Sequence, residues 1–296
     1  MSSDAKTKER QKEFPFLDYH LELEQALLML KGRPLHCARN VYRGLRRAWS
    51  IAEIDPEMAA FRAITAEEEA ATALIFALQQ RKYPRADELK WRQHPHKAGI
   101  TPFLQTIENM LYEFKFPAPQ VKLSYKDRDV PRIDIAFPLR SFGIDADFQV
   151  NPVEPLHAVL SEGPTGEEGS HPPTDFSEQL ERLADDRGAK DVYAAITKDA
   201  NTRNLILYAS NDGIPACQDV DNFLMVKRRH ITLLLSLTIA VLQTKEIQHF
   251  AVQTLGAYLR ALGKAAKNGF DYSSASQSRE LRIHMAGDKP DRDMEI

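Results

Sequence analysis

Along the first third of the chain, apolar residues recur every three or four positions, the period that lines one face of a helix. Leu35, Ala38, Tyr42, Leu45, Trp49 and Ala52 form one such stripe and predict a helix from about Leu35 to Ile54. Asp18 can cap an earlier helix reaching Lys31, which Gly32-Arg33-Pro34 would stop. Asp55-Pro56 opens the next helix, because the aspartate accepts an orphan amide hydrogen bond and proline suits the first helical position. That alanine-rich helix should run to about Gln80, before Pro84. Thr101-Pro102 repeats the signal and starts a helix through about Phe114.

After Pro117 the period shortens to two. Val121–Tyr125, Arg132–Phe137 and Ile144–Val150 alternate apolar and polar residues as half-buried strands do, and His157–Leu160 is a shorter run of the same kind. Ser161 to Pro173, rich in Gly, Pro and Glu, reads as a loop. Thr174 should cap a short helix ended by Gly188, and Val192–Thr197 with Asn204–Ala209 reads as a hairpin across the turn-prone Lys198–Thr202. Asp221 should then cap one long helical region reaching Lys267, ended by Asn268-Gly269.

The expected fold is therefore α+β, a mainly α-helical bundle with a strand-rich middle insertion or domain. Its parts are a flexible N-terminus (1–17), a helical region (18–116), a strand-rich region with one short helix (117–215), a C-terminal helical region folding back on the first helices (216–268) and a mobile tail (269–296). The apolar run Ile231–Leu242 carries the fold-back expectation, since it needs a large surface to cover it.

Composition narrows the function classes. The 296 residues carry 43% hydrophobic and 27% charged side chains, enough for a sizeable core and a solvated surface. A formal net charge of -3 gives no global attraction to nucleic acid or anionic membrane, so such binding must come from a local patch. Ile231–Leu242 is shorter than the ~20 residues a membrane-spanning helix needs, and the charged N-terminus lacks a secretory apolar run. Cys37 and Cys217 lie outside any Cys-x-x-Cys motif and read as reduced thiols of a cytoplasmic protein. Dinucleotide-binding, phosphate-loop, serine-hydrolase and zinc-protease signatures are absent.

Three places could carry chemistry. Glu67 and Glu68 fall near the edges of the stripe made by Phe61, Ile64, Ala71, Leu74, Ile75 and Leu78, while Glu69 should point away. A carboxylate near a core face needs a cation or hydrogen-bond partner. Lys31, Arg33, Arg39, Arg43, Arg46 and Arg47 form a stretch with no acidic residue, which either pairs with the acidic segment after it or offers a phosphate-binding face. Arg92, His94, His96 and Lys97 form a polar run in which histidine could move a proton and a cation could steady a phosphorane. No further ligands at recognisable spacing join the two histidines, so no metal and no cofactor are expected there. Asp134, Asp145 and Asp147 are the alternative, a set of strand carboxylates able to bind magnesium.

The run Ala38-Arg39-Asn40 through Arg47, then Ala63 to Glu69, then His94-Pro95-His96-Lys97, resembles the HEPN superfamily and, more narrowly, its AbiV-type abortive-infection branch. The resemblance covers about Leu35 to Leu104. It implies a helical bundle that often dimerises, and in many members a metal-independent ribonuclease acting in phage defence, often encoded beside an antidote or sensor partner. Others are non-catalytic, so the alternative reading is a dimeric interaction or sensor module. The usual ribonuclease motif has four to six residues between arginine and histidine. Here Arg92 and His96 have three between them, and the full spacing occurs only at Arg279 and His284. On this reading Glu68, Arg92, His94 and His96 are the catalytic candidates, and Arg39, Arg43, Arg46, Arg47 and Lys97 the phosphate- or RNA-binding ones.

Overall fold

The structure, a computed structural model, describes residues 13–113, 118–138, 149–162, 173–186, 188–207, 217–263 and 281–285. It is α+β and mainly helical. In chain order the elements are α1 (Asp18–Leu27), α2 (Arg33–Ile51), α3 (Pro56–Gln80), α4 (His94–Ala98), α5 (Ile100–Glu113), β1 (Gln120–Ser124), β2 (Arg132–Pro138), β3 (Gln149–Val150), β4 (Ala158–Glu162), α6 (Ser177–Asp186), α7 (Val192–Leu207), α8 (Val220–Leu242), α9 (His249–Ala261) and β5 (Leu281–Met285). Strands β1, β2 and β3 form an antiparallel sheet in that order, while β4 and β5 pair parallel.

Helices α2 and α3 form an antiparallel hairpin at the centre. Small residues let them approach closely: a Cβ added at Gly44 would lie 3.2 Å from the Cβ of Ala66. Asp55 caps α3 as expected, accepting from the Met58 amide at 2.9 Å. Helix α8 packs along α3 in the same direction, Glu67 meeting Lys227 and Arg81 meeting the Leu242 carbonyl. Leu234, Leu235 and Ile239 of α8 are fully buried there.

Three glutamines join this bundle to the strands. Gln243 accepts from the Ile133 amide and donates to Glu154, while Gln248 accepts from Leu156 and donates to the Ala240 carbonyl. Gln253 clamps β4, accepting from the Leu160 amide and donating to the Leu160 and Thr174 carbonyls. Each amide uses its acceptor and its donor on groups that would otherwise lose water without a partner.

Several expectations change. Helix α7 occupies Val192–Leu207, where a hairpin was expected; Asp191 accepts from the Ala194 amide at 2.7 Å and starts a helix that continues through the turn-prone Lys198–Thr202. The C-terminal helical region is two helices. Asp219, rather than Asp221, caps α8, and the polar run Gln243–Gln248 separates α8 from α9. Residues 281–285, placed in the expected mobile tail, form β5 opposite β4. Residues 144–148 of the expected third strand lie outside the described residues.

Candidate functional site

The candidate site lies where α4 crosses the α2–α3 hairpin. Helix α4 is one and a half turns long and is braced from behind. The Tyr258 hydroxyl donates to the Pro95 carbonyl at 3.1 Å, and a Cβ at Gly99 would meet Ile196 at 2.5 Å and Tyr258 at 2.6 Å, so only glycine fits. The approach to α4 is braced as well. Gln79 donates to the carbonyls of Ala86 and Leu89, and the Lys90 amide donates to Nδ1 of His96 at 3.0 Å. His96 is thereby turned inward, 5% exposed, and holds this turn.

With α4 fixed, His94 and Lys97, one turn apart, both reach Glu68. Nδ1 of His94 lies 3.1 and 3.2 Å from the two carboxylate oxygens, and Lys97 Nζ lies 2.8 Å from one of them. The Glu68 side chain is 6% exposed and Lys97 13%, whereas that of His94 is 49% exposed. Against an ionised carboxylate, Nδ1 carries the proton and donates, which makes Nε2, on the opposite side of the ring, the basic nitrogen of the neutral form.

Two further cations stack on aromatic rings next to α4. The Arg33 guanidinium sits 3.9 Å from the Trp91 ring centre and 4.5 Å from that of Phe76, and Arg92 sits 4.6 Å from Trp91. Cys37, within the electrostatic reach of Arg33 and Lys97, donates its thiol proton to Glu69. Burial, then the Glu69 charge, pushes that thiol up to about 12, so it stays protonated and inert. Glu69 thus faces α2 instead of pointing away.

The neighbouring carboxylate repeats the arrangement toward α8. Glu67 lies 2.5 Å from Lys227 Nζ and 2.9 Å from Nδ1 of His230, again a lysine and a histidine one turn apart. The side chains of Glu67 and His230 are both 12% exposed, and Nε2 of His230 accepts from the Gln105 amide at 3.0 Å. Burial raises the Glu67 carboxyl, but the hydrogen bonds and charge of His230 and Lys227 outweigh it and hold it below its ordinary value.

Of the α2 arginines, none reaches Glu67 or Glu68. Arg46 turns to α1, making a two-pronged pair with Glu24 at 2.7 and 2.5 Å across the Phe16 and Tyr42 rings. Arg39, Arg43 and Arg47 lie exposed along one stripe of α2, without an ion-pair partner among the described residues. Sequence reasoning placed Arg33 in the basic stretch but missed Trp91 at the site, though a tryptophan beside an arginine in a polar run was a usable signal. On β2, Asp134 faces Arg132 at 3.8 Å; Asp145, Asp147 and Arg279 lie outside the described residues. In the β4–β5 ladder His284 is placed opposite Ser161, far along the chain from α4.

The arrangement offers an oriented, half-exposed histidine, a buried carboxylate holding it, and three nearby cations, a set suited to moving protons beside a phosphate. Among the described residues no helix is long and apolar enough to cross a membrane. No family model, curated protein or solved structure matches the chain.

Proposed function

We propose that the chain acts on RNA as a metal-independent ribonuclease of the HEPN-like kind, in a defence or stress setting. The observation that carries the reading is His94: its ring is half exposed, and its Nδ1 is held by the buried Glu68. In the proposed step, Nε2 of His94 takes the proton from a ribose 2′-hydroxyl as that oxygen attacks the adjacent phosphorus. The bond to the 5′-oxygen breaks, and the imidazolium returns its proton to that leaving oxygen, giving a 2′,3′-cyclic phosphate. Glu68 orients the ring and stabilises its charged form, and Lys97 balances the carboxylate. Arg92, with Arg33 beside it on Trp91, supplies positive charge for the phosphorane. The exposed Arg39, Arg43 and Arg47 stripe supports a path for the rest of the strand, and the resemblance of the N-terminal helices supports the biological setting.

Purified protein incubated with total RNA in EDTA should cleave it, and His94→Ala should lower the rate by roughly 10²–10⁴-fold at unchanged melting temperature. Equal RNA survival with wild type and variant defeats the ribonuclease reading. If both then bind RNA equally, a non-enzymatic interaction module is the reading that stands.

A further inference from the structure

A second cleft, sharing no lining residue with the His94 site, opens between α5, α6 and α8. Its volume is about 750 Å³, within the range of small-molecule sites. Three carboxamides line it, Gln105 and Asn109 from α5 and Gln179 from α6, beside charged groups of both signs. Gln179 is 6% exposed, and its amide has no hydrogen-bond partner among the described residues. Its amide atoms are not among the fully buried ones, so they reach the cleft and can hydrogen-bond a ligand seated there. Gln105 donates to Nε2 of His230, which Glu67 holds from the other side, so its orientation is fixed and its Oε1 is left as an acceptor.

Charge limits the ligand. Arg182 and Arg229 line the cleft, but so do Glu108 and Asp186, and Arg229 already pairs with Glu108 at 2.5 Å. The walls therefore offer no net positive field, which disfavours a polyphosphate or a run of RNA backbone. Carboxamides pair a donor with an acceptor on one planar group, which matches the donor–acceptor edge of a nucleobase. Tyr112 on the rim adds an exposed aromatic ring for the base or sugar.

We propose that this cleft binds a nucleoside or nucleoside monophosphate, read through its base by Gln179, Gln105 and Asn109. The site is separate from His94 and stands whether or not the chain cleaves RNA.

Isothermal titration of the full chain with adenosine, guanosine, cytidine, uridine and their 5′-monophosphates tests this. At least one should bind saturably, one per chain. Gln179→Leu, which keeps the size of the side chain, should weaken that binding by about tenfold or more. Asn109→Ala, at an exposed position, should weaken it in the same direction, and His94→Ala should leave it unchanged. Arg229→Ala separates the two sources, weakening a monophosphate while sparing a nucleoside. No saturable binding by any of the eight overturns the proposal. So does binding that both Gln179→Leu and Asn109→Ala leave intact, or binding that His94→Ala abolishes.

Discussion

Glu67 and Glu68 are adjacent in sequence, and each holds a lysine and a histidine drawn from one turn of a neighbouring helix. Their chemistry is alike; their surroundings differ. Glu67 meets the long α8, where the His230 side chain is 12% exposed and both its nitrogens are engaged, by Glu67 and by Gln105. Glu68 meets the short α4 at the surface, and His94 presents half its ring to water. The same triad is therefore a clasp between helices on one side and a candidate proton-transfer device on the other. Solvent access, rather than residue identity, separates them.

The comparison is tested most strongly by neutralising each carboxylate. Glu68→Gln should lower RNA cleavage by roughly 10²–10⁴-fold, whereas Glu67→Gln should leave cleavage by the folded fraction within a few fold. Loss of cleavage in both, at equal folding, would erase the distinction. Glu67→Gln should in turn destabilise the protein by about 3–5 kcal/mol in urea unfolding, because Lys227 is left charged in the α3–α8 seam. Adding Lys227→Met should recover much of that loss, whereas Lys97→Met added to Glu68→Gln should recover the fold and not the cleavage.

Gly99→Ala should cost about 1–3 kcal/mol, since its Cβ collides with Ile196 and Tyr258. The displacement falls on α4, so cleavage should drop more than melting does, while the Glu67 clasp is spared. Acid separates the two sides further. Glu67 has a folded pKa below its ordinary 4.5, so its stabilising contribution is complete above that value and is lost as pH falls through the depressed one. Between roughly pH 5 and 3 the urea midpoint of wild type should fall more steeply than that of Glu67→Gln. The smallest effect belongs to the exposed Arg46–Glu24 pair, where Arg46→Ala should cost no more than about 1 kcal/mol and fade in salt.

Much of the helical frame was legible because it rests on local signals. The stripe of α2, the Asp55-Pro56 start of α3 and the alternation of β1 and β2 all act within a few residues of chain. Helix α7 was misread although its cap, Asp191, was in plain view. The residues Lys198–Thr202 favour turns as a set, yet nothing in that set stops a helix already capped and buried through Ala195 and Ile196.

The site was legible only in part, for a physical reason. Periodicity gives the face a side chain occupies, so Glu67 and Glu68 could be placed near the core edge from sequence. It does not give the partner across that face. Arginines one helix away were the nearest candidates in the chain, but the actual partners of Glu67 lie 160 residues on, in α8. His94 and His96 are equally polar in sequence, and which one turns outward depends on a hydrogen bond from the Lys90 backbone and on α7 and α9 pressing against Gly99. Local pattern thus determined the long N-terminal helices and which residues sit at their edges, but not α7, the α8–α9 break or β5. Tertiary packing alone decided which edges meet, which of two equivalent triads stays wet, and so where chemistry can occur, because burial is a property of all the surrounding elements at once.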